Sequence, residues 1–433
     1  MSDNNREQIN KIDQSYWAYV KRQFRKNKRA LFALYCIGFL LLIAILADVI
    51  ANEKPLVAKY KGEVVFPVFK EYAVNLGLAR WGEDYQNVQW AELDYDFSIF
   101  PPIPYTPQNV DYMNSETSPF AKQDVKSFRW RHWLGTDELG RDVFSGMIHA
   151  TRIAFSVGII SMGIATLIGI IMGSFAGFFG DNRLRMSRGR FYLNIVFLII
   201  AYFYAFHVRS YAISDAAEVS TGAMFGQVGL TLLIFLGVMA LGNLLAELFK
   251  RIPFFGKRIS VPVDLMISRV IEVFVSVPRL FLIIAIVAVV KNPSLSIVMV
   301  IIGLTSWTGI ARLIRGELLR VRSLEYIEAA QALGYNDTRT LLKHAIPNAL
   351  SPVLIAIAFG IAGAVLIEAF LSFIGIGVPA ETVTWGSLLN VSRQYTSLWW
   401  LAVFPGFAIF LTITFFNLIG EGLTDALDPK LKK

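Results

Sequence analysis

Few side chains in this sequence have the types and spacing that catalysis or metal binding requires. The four histidines stand far apart, at positions 132, 149, 207 and 344, and the single cysteine, Cys36, allows neither an intrachain disulfide nor a cysteine-rich metal site. No GxxxxGKS or GxxxxGKT phosphate loop occurs. An enzyme within a membrane would need paired carboxylates, a Ser/His pair or a metal set, and Glu368 alone supplies none of these. The sequence therefore predicts no catalytic residue, no metal site and no cofactor bound by this chain.

Glu368 is the carboxylate whose position in the sequence most strongly indicates a functional role. It lies in a long apolar block, four residues after the last of three small residues spaced four apart, Ala356, Gly360 and Ala364. A carboxylate at membrane depth is costly and is a candidate for function by default. Three roles are open: contact with a cationic group of a substrate, a hydrogen bond to a neighbouring helix, or access to water. A structural or gate-stabilising bond is the favoured interpretation.

A second candidate site precedes the second apolar block. Its residues are Gly135, Thr136, Asp137, Gly140, Arg141 and Asp142. The segment lacks the signature of a phosphate loop and is too short for an EF-hand calcium loop. The two glycines permit a tight turn, and the charged side chains can pair locally at the head of the following span. A structural role is favoured, and direct contact with a substrate is the alternative.

The third candidate is a polar loop at residues 323–347, between two apolar blocks. Ser323 can cap a helix that begins at Leu324, Glu325 lies in its first turn, and Gly334 can end it in the left-handed conformation. Asn336 or Asp337 can cap a second short helix. The first helix has a low, alanine-rich surface that could enter a cleft on another protein, where its two glutamates would meet basic residues.

The elements that position these candidates are membrane spans. The chain has 433 residues, of which 55% are apolar and 17% charged, and the apolar residues occur in blocks of about 20, the length that crosses a bilayer as a helix. The predicted spans are residues 30–50, 151–178, 191–207, 226–249, 263–290, 295–314, 349–376 and 398–419. Pro278 removes a backbone hydrogen bond and is expected to kink or start a span. The predicted class is an all-α polytopic bundle of about eight spans.

Basic residues set the predicted orientation of these spans. The formal net charge is +8, and Lys and Arg concentrate before the first block, after the second and fourth, and around the loop at 323–347. Basic loops stay cytoplasmic, so both termini are expected in the cytoplasm. Topology explains these charges better than nucleic-acid binding does.

The expected organisation has four parts. Residues 1–29 form a basic cytoplasmic leader, residues 30–50 an anchor helix, and residues 51–134 a large extracytoplasmic insert with short strands near 64–66 and 94–97. The core occupies residues 135–433 and contains an extra helix pair at 191–249. The insert is too long for a simple linker.

Several motifs resemble one family of transport proteins. Glu328-Ala329-Ala330, Gly334 and Pro347 match the coupling loop of ABC-importer permeases. The segment HWLGTDELGRD at residues 132–142 is similar to the signature that precedes the second span in the dipeptide/oligopeptide/nickel branch. C-type subunits of that branch share AVLIEAFLSFIG, TWG and DALDP, here at residues 364–375, 384–386 and 425–429. Residues 51–131 and 183–260 depart from the compact family pattern.

The resemblance implies a type I (MetI-like) permease of a bacterial inner membrane. It implies a heterodimer with a second permease subunit, two cytoplasmic ATPase subunits that hold ATP and magnesium, and an extracytoplasmic binding protein. The coupling residues would be Glu325, Glu328, Ala329, Ala330, Gly334 and Pro347, and the motif at 135–142 would shape the outer mouth of the pore. Peptides are the expected cargo. Nickel or another small solute, and an ATP-independent channel, are the alternatives.

Overall fold

The computed structural model describes residues 16–427 except 76, 83, 84, 86, 87, 220, 291–293 and 380. Residues 1–15 of the expected leader and residues 428–433, which include part of the DALDP motif, lie outside the described residues. The first part of the chain contains α1 (Tyr16–Lys26), α2 (Lys28–Ile45), α3 (Ala47–Ile50), β1 (Val57–Tyr60), β2 (Glu63–Val65), α4 (Pro67–Asn75) and β3 (Phe97–Ile99).

Longer helices dominate the remainder. The middle of the chain contains α5 (Val143–Ser174), β4 (Arg185–Ser187), α6 (Arg188–Tyr202), α7 (Ser210–Val219), α8 (Thr221–Phe249), α9 (Pro253–Gly256), β5 (Arg258–Ser260) and α10 (Val263–Ser276). The last part contains α11 (Arg279–Val289), α12 (Leu295–Val321), α13 (Glu325–Ala332), α14 (Asp337–Thr340), α15 (Ile346–Ala349), α16 (Ser351–Phe373), α17 (Trp385–Gln394) and α18 (Trp400–Leu427). Short π-helical turns follow α5, α6 and α14, at Phe175–Phe179, Phe203–His207 and Leu341–Ala345.

Seven helical segments among the described residues are long and apolar enough to cross a membrane. They are Lys28–Ile45, Val143–Phe179, Arg188–Ala212, Gly226–Phe249, Leu295–Val321, Ser351–Phe373 and Trp400–Leu427. The expected span at 263–290 is instead a pair of helices, α10 and α11, that bend by 83° where Pro278 interrupts them. With that pair counted as one span the number is eight. The predicted class, a polytopic helical membrane protein, is confirmed.

The described residues form two compact units, one from the stretches Met1–Ile171 and Val273–Lys433 and the other from Met172–Glu272. The core of the first unit lies among α5, α11, α12 and α16, where Val157, Ile283, Ile302 and Leu371 are fully buried. Because Gly360 of α16 has no side chain, Met162 of α5 packs directly over it; a Cβ there would lie 2.3 Å from the Met162 methyl group. This small residue therefore serves packing within the chain.

The second unit is built on the pairing of α6 with α8. A Cβ on Gly242 would lie 2.6 Å from the Phe197 ring, and Arg190 Nε donates to Asn243 Oδ1 at 2.6 Å. The strands β4 and β5 pair antiparallel and join the ends of this unit, with Met186 opposite Ile259. Several large leucines of α8 are exposed, among them Leu233 and Leu244 at 66% and 67%. A helix that carries such an apolar surface is suited to lipid.

The expected insert contains a small antiparallel sheet in the order β2-β1-β3. In this sheet Ala58 lies opposite both Val65 and Ser98. Two of its strands fall near the residues predicted from the sequence, and β1 was not predicted. Asp48 of α3 connects the insert to α5, because it accepts one hydrogen bond from Arg152 of α5 at 2.8 Å and another from Tyr72 of α4.

Candidate functional site

The loop at 323–347 presents one exposed face of α13. Glu325, Glu328, Ala329 and Ala332 are exposed, whereas Ile327 is fully buried and Ala330 is only 7% exposed. Positions three and four apart share one side of a helix, so the two glutamates and the two alanines form a single exposed stripe along α13. Ile327 and Ala330 anchor the opposite side of the helix in the bundle.

Gly334 ends α13 through a Schellman arrangement. Its φ is +84°, its N–H donates to Gln331 O at 2.9 Å, and Tyr335 N–H donates to Ala330 O at 3.2 Å. Only glycine adopts this backbone without strain, and the motif satisfies carbonyls that the helix end leaves unpaired. Leu333, just before the glycine, is 78% exposed and extends the stripe with an apolar side chain.

The start of α13 differs from the sequence prediction. The helix begins at Glu325, its N-cap is Leu324, and no side chain caps it. The Ser323 hydroxyl instead donates to Arg320 O at 2.8 Å, so Ser323 satisfies a carbonyl at the end of α12. The predicted Ser323 cap is therefore wrong, because α12 ends only two residues earlier, at Val321, and its last carbonyls compete for the hydroxyl. The second cap is correct: Asn336 Oδ1 accepts from Arg339 N–H at 2.8 Å.

The returning half of the loop is held by ring contacts. Tyr335 stacks on His344 with ring centroids 5.8 Å apart, and the Arg339 guanidinium lies 4.3 Å from the centre of the Tyr335 ring. Pro347 lies in the first turn of α15, where its missing N–H costs nothing. Beside the loop lies a cavity of about 830 Å³ lined by Tyr326 of α13, Tyr19 of α1 and residues of α12, α16 and α18. Burial raises the pKa of Tyr326 above its usual value.

The second candidate site is a turn in which two aspartates, Asp137 and Asp142, accept hydrogen bonds from residues close to them in the sequence. Asp137 Oδ1 accepts from the N–H groups of Leu139 and Arg141 at 2.9 and 2.8 Å, and its Oδ2 accepts from Arg141 Nε at 2.5 Å. Asp142 Oδ1 accepts from Ser145 N–H at 2.6 Å at the start of α5. Both carboxylates are almost fully buried, and they shape the head of the helix.

His132 ties this turn to the insert. The ring is fully buried, its Nδ1 is 2.8 Å from Asp142 Oδ2, and its Nε2 is 3.3 Å from Asp111 Oδ2. Tyr105 stacks on the ring at 4.4 Å. Burial alone would lower the pKa of His132, but the hydrogen bonds and charges of the two aspartates outweigh it and raise the pKa above its usual value.

Thr136 and the two glycines make the closest contacts of the turn. Thr136 Oγ1 donates to Asn114 O at 2.5 Å and accepts from Thr117 N–H at 2.9 Å, and its carbonyl accepts from Trp400 Nε1 at 2.9 Å. Gly140 has a φ of +82°, and a Cβ there would lie 2.0 Å from Asp111 O. Gly135, at +79°, would place a Cβ 2.6 Å from Thr117 O. The glycines therefore permit close approach as well as a turn.

A cavity of about 320 Å³ adjoins the turn and reaches α16 and α17. Glu138 and Arg141 line it together with Asn390 and Gln394. Glu138 Oε2 is buried and has no hydrogen-bond partner among the described residues, and burial, followed by the charge of Asp137, raises the pKa of Glu138. Within this motif, Glu138 and Arg141 are thus the side chains best placed to meet a solute.

Glu368 lies near the end of α16 and is 1% exposed. Ser372 Oγ donates to Glu368 Oε1 at 2.6 Å, and the Thr384 hydroxyl lies within hydrogen-bonding reach of the same carboxylate. Thr384 also caps α17 by accepting from Ser387 N–H at 3.1 Å. Next to it, a Cβ on Gly386 would lie 2.2 Å from Ala369 O, so α17 packs directly on α16. The carboxylate is therefore buried and hydrogen-bonded at the place where α16 and α17 pack together, called the Glu368 corner below.

Three partners of these sites were missed by the sequence analysis. Asp111 carries no local signal, because it meets His132 only through the fold of the insert. Leu333 could have been recognised from its place before a helix-ending glycine. Trp400 lies 264 residues from Thr136, so no local pattern indicates that its indole N–H donates to the Thr136 carbonyl.

Comparison with known proteins identifies the family. Residues 253–433 match the profile of the binding-protein-dependent transport system inner membrane component. Residues 15–62 match the N-terminal transmembrane domain of oligopeptide transport permease C. The chain is a permease of the binding-protein-dependent transport family. The loop at 323–347 and Glu368 lie within the first match, and the turn at 135–142 lies outside both.

Relatives of the permease include several transport subunits. A dipeptide transport system permease of Bacillus subtilis (strain 168) is 29% identical over 304 residues, which is 70% of either chain. The oligopeptide transport system permease of the same organism is 25% identical over 428 residues, 99% of this permease and 94% of the relative. An inner membrane ABC transporter permease of Escherichia coli (strain K12) is 25% identical over 426 residues, 97% and 98% of the two chains.

Proposed function

We propose that this permease forms half of the translocation pore of an ATP-driven importer, with peptides as its cargo. The family match supports the transport role, and the dipeptide and oligopeptide names of two relatives support the cargo. The chain itself performs no catalysis. ATP and magnesium would bind two cytoplasmic ATPase subunits, a second permease would complete the pore, and an extracytoplasmic binding protein would deliver the peptide.

One observation carries the mechanism: the exposed stripe of α13. Glu325, Glu328 and Ala329 lie on a helix whose other side is anchored by the buried Ile327. The alanine side chains are short, so this surface can enter a cleft on an ATPase subunit, and the glutamates can pair with basic residues in that cleft. A load applied to α13 would pass into the bundle because the anchored side cannot slip.

Charge reversal tests this proposal in proteoliposomes that contain the whole complex with its binding protein. Glu328→Lys should reduce ATP-dependent uptake of labelled di- and oligopeptides at least tenfold and weaken retention of the ATPase subunits on the permease. Glu272→Lys is the matched control, because Glu272 is also exposed and forms only a surface ion pair with Arg269 at 2.6 Å. Full uptake by the Glu328→Lys complex would refute the coupling role.

The orientation can be tested on the same protein. Both termini and the loop at 323–347 are assigned to the cytoplasm from the distribution of basic residues. With Cys36 replaced by Ser, Leu333→Cys places one thiol on the exposed end of α13. A membrane-impermeant maleimide should label it in inside-out vesicles and leave it unlabelled in right-side-out vesicles. The opposite pattern would overturn the topology.

A further inference from the structure

The helix α1 and the first turn of α2 together carry a dense basic surface that the transport mechanism does not use. Six cations occur within nine positions, and all of them are exposed: Lys21, Arg22, Arg25, Lys26, Lys28 and Arg29. From residue 16 to residue 29 the chain has no acidic residue. Within the part of the chain that the structure describes, none of the six takes part in an ion pair. The surface formed by these six residues is called the basic face below.

The other side of α1 is fixed to the protein. Val20 is 6% exposed, and Phe24 lies against α18, where a Cβ on Gly422 would be 3.0 Å from the Phe24 ring. Asn27 Nδ2 donates to Asp425 Oδ2 at 3.0 Å. At about 100° per residue these three residues share one side of the helix. Lys21 and Arg25 therefore point away from the bundle and cannot turn inward.

The basic face also adjoins the start of the first apolar span. Asn27 Oδ1 accepts from Ala30 N–H at 3.1 Å and so caps α2, the first span, immediately after α1 ends. The last residues of the basic face thus belong to the first turn of a helix that enters the lipid. Cations at this boundary meet phospholipid headgroups, whose phosphates accept hydrogen bonds from Lys and Arg.

We propose that the basic face of α1 is a binding site for the headgroups of anionic phospholipids. A topological role alone would need only positive charge anywhere in the leader. It does not require that the cations be gathered on one side of a helix whose other side is docked on α18. That arrangement presents a row of donors to several headgroups at once.

Lipid binding at this face has a second consequence, which rests on the proposed function. Tyr19 of α1 and Tyr326 of α13 line the same cavity of about 830 Å³. Headgroups that hold α1 in place therefore hold one wall of the cavity beside the coupling helix. Anionic lipid should raise peptide-stimulated ATP hydrolysis by the complex several-fold over zwitterionic lipid alone.

The direct test measures lipid retention and does not depend on transport. The purified permease is equilibrated with phosphatidylglycerol or phosphatidylcholine in mixed micelles, and the retained lipid is counted by native mass spectrometry. The test variant neutralises four cations of α1: Lys21→Gln, Arg22→Gln, Arg25→Gln and Lys26→Gln. The control variant neutralises four exposed cations of the loop after α8: Lys250→Gln, Arg251→Gln, Lys257→Gln and Arg258→Gln.

The expected result is at least tenfold weaker retention of phosphatidylglycerol by the test variant and less than a twofold change in the control. Phosphatidylcholine should be retained equally by all three proteins. If the test variant does not fold, the wild-type protein decides the question, because 0.5 M NaCl should weaken phosphatidylglycerol retention several-fold. Equal losses in both variants, salt-independent retention, or equal retention of the two lipids would overturn the site. Altered retention with unchanged ATP hydrolysis would leave the site intact and overturn only its link to α13.

Discussion

Gly140 offers the sharpest test of how the turn at 135–142 works. Gly140→Ala adds one methyl group at a position where φ is +82° and where that group would lie 2.0 Å from Asp111 O. Real Cβ contacts essentially never fall below 3.0 Å, so Asp111 must retreat by at least 3.0 − 2.0 = 1.0 Å. That retreat breaks the hydrogen bond from Asp111 N–H to Gly140 O and opens the contact of Asp111 with His132.

The expected cost follows from these losses. The left-handed backbone costs an L-residue roughly 1–2 kcal/mol, a lost backbone hydrogen bond about 1 kcal/mol, and a weakened bond to a charged group about 1 kcal/mol more. Gly140→Ala should therefore destabilise the attachment of the insert by about 3–4 kcal/mol. Hydrogen exchange in peptides that cover residues 105–120 should accelerate roughly a hundredfold or more, since 1.4 kcal/mol corresponds to a factor of about ten.

Gly62→Ala is the matched control. Gly62 lies in the turn between β1 and β2, its φ is +83°, and a Cβ there would meet nothing within 4 Å. It therefore carries the backbone strain alone, about 1–2 kcal/mol, and should leave exchange at residues 105–120 unchanged. If both alanine variants leave that segment equally protected, the close packing of Asp111 on Gly140 is not what holds the insert, and the structural interpretation of the turn fails.

Two further predictions concern buried polar groups. Glu368→Gln keeps an oxygen that can accept from Ser372, so thermal stability and uptake of neutral peptides should change little; selective loss of cationic peptides would instead indicate that the carboxylate contacts substrate. His132→Gln removes the pH dependence that Asp111 and Asp142 create. Because they raise the pKa of His132, its stabilising charge is fully present below the ordinary value of about 6.5 and disappears as the pH rises through the raised value. The unfolding temperature of the wild-type protein should fall relative to His132→Gln over that rise, and parallel curves from pH 5.5 to 9 would contradict this account.

The membrane spans could be predicted from the sequence because the bilayer imposes a length and a polarity on each of them. The break within 263–290 agrees with the predicted effect of Pro278, which lacks the N–H that a continuous helix needs and leaves two helices in place of one. The end of α13 could also be predicted from the sequence, since Gly334 and Asn336 act on the backbone next to them. Local rules failed at Ser323, where the end of α12 and the start of α13 compete for one hydroxyl.

The insert could not be predicted in this way because its contacts are not local. The strand β1 exists through its pairing with β2 and with β3, and β3 lies some forty residues further along the chain. The same holds for His132, whose partners lie 21 residues before it and 10 residues after it. A pattern of residue types shows which groups need a partner, but only the folded chain selects which partner each one meets.

The helix α16 joins the two most informative sites. It begins directly after the loop at 323–347, and its 23 residues extend about 34 Å to the corner where Glu368 and Ser372 meet Thr384. Its middle is braced by Met162 over Gly360, and its far end by α17 over Ala369. We expect a helix held at these two points to pass a movement of the loop to the Glu368 corner, where Glu368 meets Thr384. Under the proposed function, force received at α13 would here change the shape of the cavity of about 320 Å³ beside Glu138 and Arg141, because Ser372 lines that cavity as well.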